Sequence, residues 1–281
     1  MTCLVNNNGE IIEGKAHAVE SSSRAFLYGD GLFESVKVIN GKPINIENHF
    51  ARLKAGAELL KLRLPNYFSA EFFREKTQEL IDKSGIKAGG RVRISIDRTS
   101  GGAYRPVSNE ACYLIEVEDR PSNCFELNAK GLEVDLYINM RKQVCKLSNY
   151  KTKNGLLYIM ASLEAEERQL DDVLLTNEKG IIIEATSSNL FVVSNGVLYT
   201  PGLEDGCLAG TMRMQIINLA LENQMKVYEC SIMPQNLLVA DEVFLTNAVR
   251  GVMWVGGYRT KRYMNNVSRK FVDLLNAEYC I

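Results

Sequence analysis

The sequence predicts an α+β protein in two parts, with strands tied by hairpins and helices packed outside them. Three observations carry this. Asn40-Gly41 and Ser194-Asn195-Gly196 are short hairpin signals between apolar runs. Two stretches, 47–62 and 69–84, have a helical pattern, the first with apolar residues at three- and four-residue spacing. A polar break over 118–123, containing Pro121, separates a first domain (1–117) from a second (124–281).

The first half opens with a hairpin, 3–5 and 10–12, around Asn6-Asn7-Asn8-Gly9. The apolar run 32–39 reads as a strand that ends at Asn40-Gly41. In helix 47–62, Phe50, Leu53, Ala57 and Leu60 recur on one side, and helix 69–84 takes Ser69 as N-cap and Gly85 as stop. Segments 91–97 and 111–117 alternate as strands on either side of Ser100-Gly101-Gly102. The second half reads as a helix over 153–169, strands at 172–176 and 180–185, and a hairpin of 189–193 with 197–200. A helix over 212–223, a strand at 242–246 and a terminal helix with Val267, Phe271 and Leu274 on one side complete it.

Composition narrows the function. With 46% hydrophobic and 24% charged residues the chain has an ordinary soluble profile, and its net charge of −1 gives no electrostatic case for nucleic acid or an anionic membrane. The N-terminus lacks a secretory pattern and no apolar run is long enough to span a bilayer, so a cytoplasmic protein is expected. Its 7 cysteines are scattered without a C-x-x-C pair and there are only 2 histidines, so neither a disulfide framework nor a metal site is expected. His49 lies inside a helical pattern and reads as structural. No Ser-His-Asp set, P-loop or dinucleotide fingerprint can be assembled, which leaves lysine, glutamate and anion-binding turns.

Four segments then matter together. Arg24-Ala25-Phe26-Leu27-Tyr28-Gly29-Asp30-Gly31-Leu32-Phe33-Glu34 is, alone, a tight turn entering a strand. Tyr150-Lys151-Thr152-Lys153-Asn154 sits at the entrance of an apolar helix, where desolvation makes a lysine amine nucleophilic. Glu184 ends an apolar strand and is followed by Thr186, Ser187 and Ser188, a concentration of hydroxyl donors after Ala185. Gly210-Thr211-Met212-Arg213 opens a helix, whose free N–H groups favour a phosphate.

In this order the segments resemble the class IV aminotransferases, pyridoxal-phosphate (PLP) enzymes of fold type IV, from Arg24 to about Gly257. The resemblance implies two α/β domains with the cofactor between them, a homodimer and a small-molecule amine substrate. Lys151 with Asn154 matches the family's K-x-x-N and implies the Schiff-base lysine, carried by the C-terminal domain. Glu184, Ser187 and Asn189 match E-(G/A)-x-S-x-N-x-F, which implies that Glu184 meets the pyridine nitrogen, with Ser188 in the same cofactor-binding stretch. His49-Phe50-Ala51-Arg52-Leu53 matches H-x-x-R-L and implies Arg52 at the phosphate. The turn Gly210-Thr211-Met212 resembles L-x-G-I-T-R with a threonine hydroxyl lost at Met212, its backbone amides still able to donate.

Three further segments resemble aminodeoxychorismate lyases, which form 4-aminobenzoate and pyruvate: Tyr28–Phe33, Arg98–Tyr104 and Thr246-Asn247-Ala248. They imply Phe33, Arg98, Tyr104 and Asn247 on the substrate side, although the Arg98–Tyr104 loop lacks the second arginine of the lyase pattern. The alternative is an aminotransferase for D-amino or branched-chain amino acids; Phe33-Glu34-Ser35-Val36-Lys37 is closer to the D-amino acid enzymes. A non-catalytic PLP carrier is the remote alternative.

Overall fold

A computed structural model describes residues 4–14 and 20–280. Cys3, the start of the first expected strand, lies outside the described residues. The chain divides into two compact units, the first running to Cys124 and including Tyr150–Asn154 and Cys280, the second comprising Phe125–Asn149 and Gly155–Tyr279.

The first unit holds β1 (Leu4–Asn7), β2 (Glu10–Glu13), α1 (Arg24–Tyr28), β3 (Gly31–Ile39), β4 (Lys42–Pro43), α2 (Ile46–Leu59), α3 (Ala70–Lys83), β5 (Gly90–Arg98) and β6 (Ala111–Asp119). Among the described residues its strands form one six-stranded sheet, in order β2-β1-β6-β5-β3-β4, antiparallel throughout. Asn40 and Gly41, at φ 51° and 67°, make the β3–β4 turn in the left-handed conformation that matches strand twist. Ser69 caps α3, its hydroxyl accepting from the Phe72 N–H at 3.0 Å. The two long helices bury Leu53, Ala57, Phe73 and Leu80 against Val36, Ile94 and Ile115 of the sheet. Phe73 is the hub of an aromatic cluster, in ring contact with Phe50, Phe68, Phe72 and Tyr113.

The second unit holds β7 (Leu132–Leu136), α4 (Leu156–Glu167), β8 (Asp172–Thr176), β9 (Ile182–Ala185), β10 (Asn189–Ser194), β11 (Val197–Thr200), α5 (Thr211–Glu222), β12 (Val227–Glu229), α6 (Pro234–Val239), β13 (Glu242–Asn247), β14 (Gly251–Tyr258), β15 (Lys261–Arg262) and α7 (Asn266–Tyr279). Its sheet runs β12-β11-β10-β13-β14-β7-β8-β9, with β15 on β14. Strand β9 also pairs with β10, through Glu184 and Asn189, so β10, β13, β14, β7, β8 and β9 close into a ring. Leu174, Ile182, Leu190, Val192, Leu245 and Val255 form one core of this unit. Ala161 and Ala165 of α4 pack with Val173, Leu175 and Ile183 in a separate cluster, and Phe271 of α7 lies against Phe244.

The α+β architecture is the expected one, and the structure differs from the sequence reading at particular places. Lys151 belongs with the first unit, because the Phe33 N–H donates to the Lys151 carbonyl and the Lys153 N–H to the Gly31 carbonyl, each at 3.0 Å. That extended pairing also delays α4 to Leu156. Residues 24–28 form a short helix, β7 and β14 lie in stretches without a strand signal, and the terminal helix buries Ser268, Phe271, Val272 and Leu275. No helix among the described residues is long and apolar enough to cross a membrane.

Phe73→Ala removes the fully buried hub of the aromatic cluster and is expected to cost about 3–5 kcal/mol of stability. Denaturant unfolding would show it as a lower midpoint at unchanged slope.

Candidate active site

In the first unit, β3 sorts its residues by the two-residue period of a strand. Leu32, Glu34 and Val36 turn inward and are buried; Phe33 and Ser35 are partly exposed. Glu34 is a carboxylate in the interior, and α2 answers it. The Arg52 guanidinium presents its Nε and Nη2 edge to both Glu34 oxygens, Nε at 2.8 Å, and the His49 Nδ1–H donates to Oε2 at 2.7 Å. Burial raises the Glu34 pKa, but Arg52 and His49 outweigh it and hold it at about 2. Burial pulls His49 below the ordinary histidine value despite the facing carboxylate, with Arg52 and Lys151 adding to the fall. His49 is thus structural, as expected, and it holds the pair that orients Arg52.

Phe33 is the floor on which the lysine segment rests. The Lys151 ammonium lies 4.4 Å from the centre of its ring. Lys153 is occupied differently: its ammonium is 2.6 Å from an Asp97 oxygen, in a pair whose aspartate is pushed upward in pKa by burial. Of the two lysines in the segment, Lys153 is therefore committed to a carboxylate, and Lys151 sits over an aromatic face.

Arg98 is buried and its guanidinium is spent on the fold. Nε donates to Asp30 at 2.9 Å, Nη2 to the Leu60 carbonyl at 2.7 Å, and Nη1 to the Asn109 side chain. Asp30 of the Gly-Asp-Gly turn also takes Arg24 Nε at 2.8 Å, and Arg24 Nη1 donates to the carbonyls of Gly101, Gly102 and Ala103. The two arginines and Asp30 thus anchor the base of the loop, while Tyr104 at its tip is 92% exposed and touches Tyr28.

In the second unit the expected cofactor residues converge at the closure of the ring. Between Leu175 and Thr176 the β8–β9 register slips by one residue, so that Glu184 opposes Leu175, which packs in the same cluster as Tyr158 of α4. Glu184 is buried. Its Oε1 accepts from Lys142 Nζ at 2.7 Å and the Tyr158 hydroxyl at 2.8 Å, and its Oε2 from the Leu208 N–H at 2.8 Å. Burial, with Glu184 beside it, drives the Tyr158 phenol upward, so it remains a donor. After Ala185 the chain reverses through Thr186, Ser187 and Ser188; Ser187 is exposed and Ser188 buried. Asn189 donates to the Thr246 carbonyl and hydroxyl at 2.9 and 3.0 Å, and Asn247 to the Ser188 hydroxyl at 3.2 Å.

Gly210 precedes α5 against this group. A Cβ there would fall 2.0 Å from Asn189 Oδ1, so only glycine lets the turn approach Asn189. Thr211 and Met212 start α5 and are both buried. Lys142 and Tyr158 went unnoticed in the sequence. Lys142 lies 42 residues from its carboxylate in a run without periodicity, and Tyr158 reads as one more apolar helix residue; only the tertiary fold pairs them with Glu184.

The family model for amino-transferase class IV matches residues 31–257. A D-alanine aminotransferase from Bacillus licheniformis is 28% identical over 253 residues, covering 88% of this chain and 85% of that one. An aminodeoxychorismate lyase from Vibrio harveyi is 26% identical over 241 residues, covering 85% and 87%. Among solved structures, a branched-chain aminotransferase from Thermoproteus uzoniensis superposes with a TM-score of 0.88 over 97% of this chain and 93% of its own, at 23% identity, a likeness of fold.

The buried charges give two predictions. A carboxyl whose pKa is depressed on folding stabilises the protein above its unfolded value and loses that effect as pH falls through its folded value. Glu34 should therefore withdraw stability between about pH 4.5 and about pH 2, and Glu34→Gln should flatten that part of a stability–pH curve. Lys142→Met leaves Glu184 buried without its cation and should cost about 3–5 kcal/mol in denaturant unfolding, more than Lys142→Arg.

Proposed function

Because the chain belongs to the class IV aminotransferases, whose cofactor is PLP, we propose that Lys151 carries that cofactor and is the proton-transferring base. The observation that supports this is the place of the Lys151 ammonium, 4.4 Å from the centre of the Phe33 ring, in the segment with the K-x-x-N spacing of the family, while Lys153 is ion-paired with Asp97. The donor set fits the group. Glu184 has one donor on Oε2 among the described residues, leaving a lone pair for a ring-nitrogen proton, while Lys142 and Tyr158 fix its other oxygen. The Gly210 turn and the start of α5 offer amides to a phosphate dianion, with Arg52, oriented by Glu34, as the candidate counter-charge.

When bound, PLP supplies a carbonyl for covalent attachment of an amine and a ring that takes up an electron pair. The chain supplies the proton chemistry. Lys151 removes the proton from the amine-bearing carbon. In the lyase reading the bond from the ring to the enolpyruvyl oxygen then breaks, the ring becomes aromatic, and protonation of the enolpyruvyl carbon gives pyruvate beside 4-aminobenzoate. That reading, on the route to folate, is our first; the Vibrio harveyi relative and Asn247, held by Ser188, support it. Aminotransfer, in which Lys151 returns the proton at a different carbon, is the second. The internal use of Arg98, which removes one cation expected for a dicarboxylate, favours it, as does the Bacillus licheniformis relative. We also read the chain as a homodimer. The exposed apolar stripe Leu156, Ile159, Met160 and Leu163 along α4 supports this, and light scattering tests it.

Purified protein should show a visible or near-ultraviolet PLP band that survives dialysis and is abolished in Lys151→Ala; absence of the band after adding PLP would sink the reading. Conversion of the band by D-alanine, glutamate or a branched-chain amino acid identifies a transaminase. Release of 4-aminobenzoate from aminodeoxychorismate, with the band restored, identifies the lyase.

A further inference from the structure

Two donors on Glu184 lead back to one place in the chain, Ser148-Asn149. Lys142, which bonds Oε1 at 2.7 Å, also donates to the Ser148 carbonyl at 3.0 Å. The Leu208 N–H, which bonds Oε2 at 2.8 Å, lies in a turn that Asn149 holds. The Asn149 carboxamide donates from Nδ2 to the Cys207 carbonyl at 2.7 Å and to the Leu203 carbonyl at 2.9 Å. Its backbone carbonyl accepts from the Ala209 N–H at 3.0 Å.

This is a relay through a peptide group. The Cys207 carbonyl and the Leu208 N–H are opposite ends of one planar trans unit, so a donor fixed on the oxygen sets where the N–H points. It also polarises that N–H and strengthens the bond that Glu184 receives. The next peptide is fixed as well, with the Ala209 N–H on Asn149 and the Gly210 N–H on the Leu208 carbonyl at 2.8 Å. Asp205, earlier in the turn, has supports of its own: Asn177 donates to its carbonyl at 3.0 Å and Ser231 to its carboxylate at 2.8 Å. Those bonds end before the peptide that meets Glu184. Two carbonyl oxygens can be met only by the amino end of a carboxamide, so an ionised aspartate of equal size cannot replace Asn149.

We propose that Asn149 is a positioning residue: it aims the Leu208 N–H at Glu184 and so fixes the acid that is to face the pyridine nitrogen. The inference rests on the reading of Glu184 as that acid. It adds a residue that the K-x-x-N motif, which singles out Asn154, passes over.

The test uses the full chain as wild type, Asn149→Ala, Asn149→Asp and, as control, Asn128→Ala. Asn128 is another carboxamide spent on backbone, bonding Trp254 and Lys130. Two aldehydes serve as probes, PLP and its deaza analogue, in which CH replaces the ring nitrogen. Absorbance titration should show PLP affinity about tenfold lower in both Asn149 variants, with the analogue much less affected and Asn128→Ala equal to wild type for both. Equal weakening of the two probes, unchanged PLP affinity, or the same selective loss in Asn128→Ala would overturn the proposal. Hydrogen exchange before PLP is added reads the turn directly. Over residues 203–209 it should be about tenfold faster in Asn149→Ala and unchanged in Asn128→Ala. Unchanged exchange in Asn149→Ala would also sink the proposal. If wild type itself binds the two probes equally, the reading of Glu184 at the ring nitrogen fails, and exchange still decides whether Asn149 holds the Leu208 amide.

Discussion

The alternation of β3 is the constraint on which the first unit turns. A strand sends successive side chains to opposite faces, so Glu34 must enter the interior if Phe33 is to stay accessible. An interior carboxylate is tolerable only with cations and donors around it, and α2 provides Arg52 and His49 one turn apart. The same pleat leaves Phe33 as a flat apolar surface, on which Lys151 and Arg93 both rest. One strand thus fixes a buried ion network below and a pair of cations above.

The second unit meets an analogous problem with a different device. Glu184 lies on the strand that closes the ring, and the one-residue slip in β8–β9 sets it opposite Leu175, in reach of the Tyr158 hydroxyl. Without the slip, strict alternation would leave Ile183 in that register position. Closure through Glu184 and Asn189 brings the acid, the Ser188–Asn189 pair and the Gly210 turn into one neighbourhood, although they are spread over more than twenty residues of sequence.

Much of this was legible in the sequence, for physical reasons that differ by element. Asn40-Gly41 and the Ser69 cap are local, so their chemistry is visible in a few residues. Lys151, Glu184 and Gly210 stand out in the sequence because short motifs keep their order. Arg98 shows where that kind of reading stops: a loop pattern suggested a substrate contact, yet its partners, Asp30 and Leu60, lie 68 and 38 residues away. Lys142 has no motif at all. It depends on a carboxylate far along the chain, a circumstance that is not written in local sequence. Strand β14, with Gly251, Gly256 and Gly257, lacks a clean alternation because all three glycines lie where another backbone or side chain passes closely.

Asp30 joins two arginines that reach in different directions. Through Arg24 it governs α1 and the carbonyls of the glycine-rich loop; through Arg98 it governs the end of β5 and the turn after α2. A single carboxylate therefore makes the position of the loop and the position of α1 one variable rather than two. Tyr28 at the end of that helix meets the ring of Tyr104 at the loop tip, so the two tyrosines stand on one shared anchor.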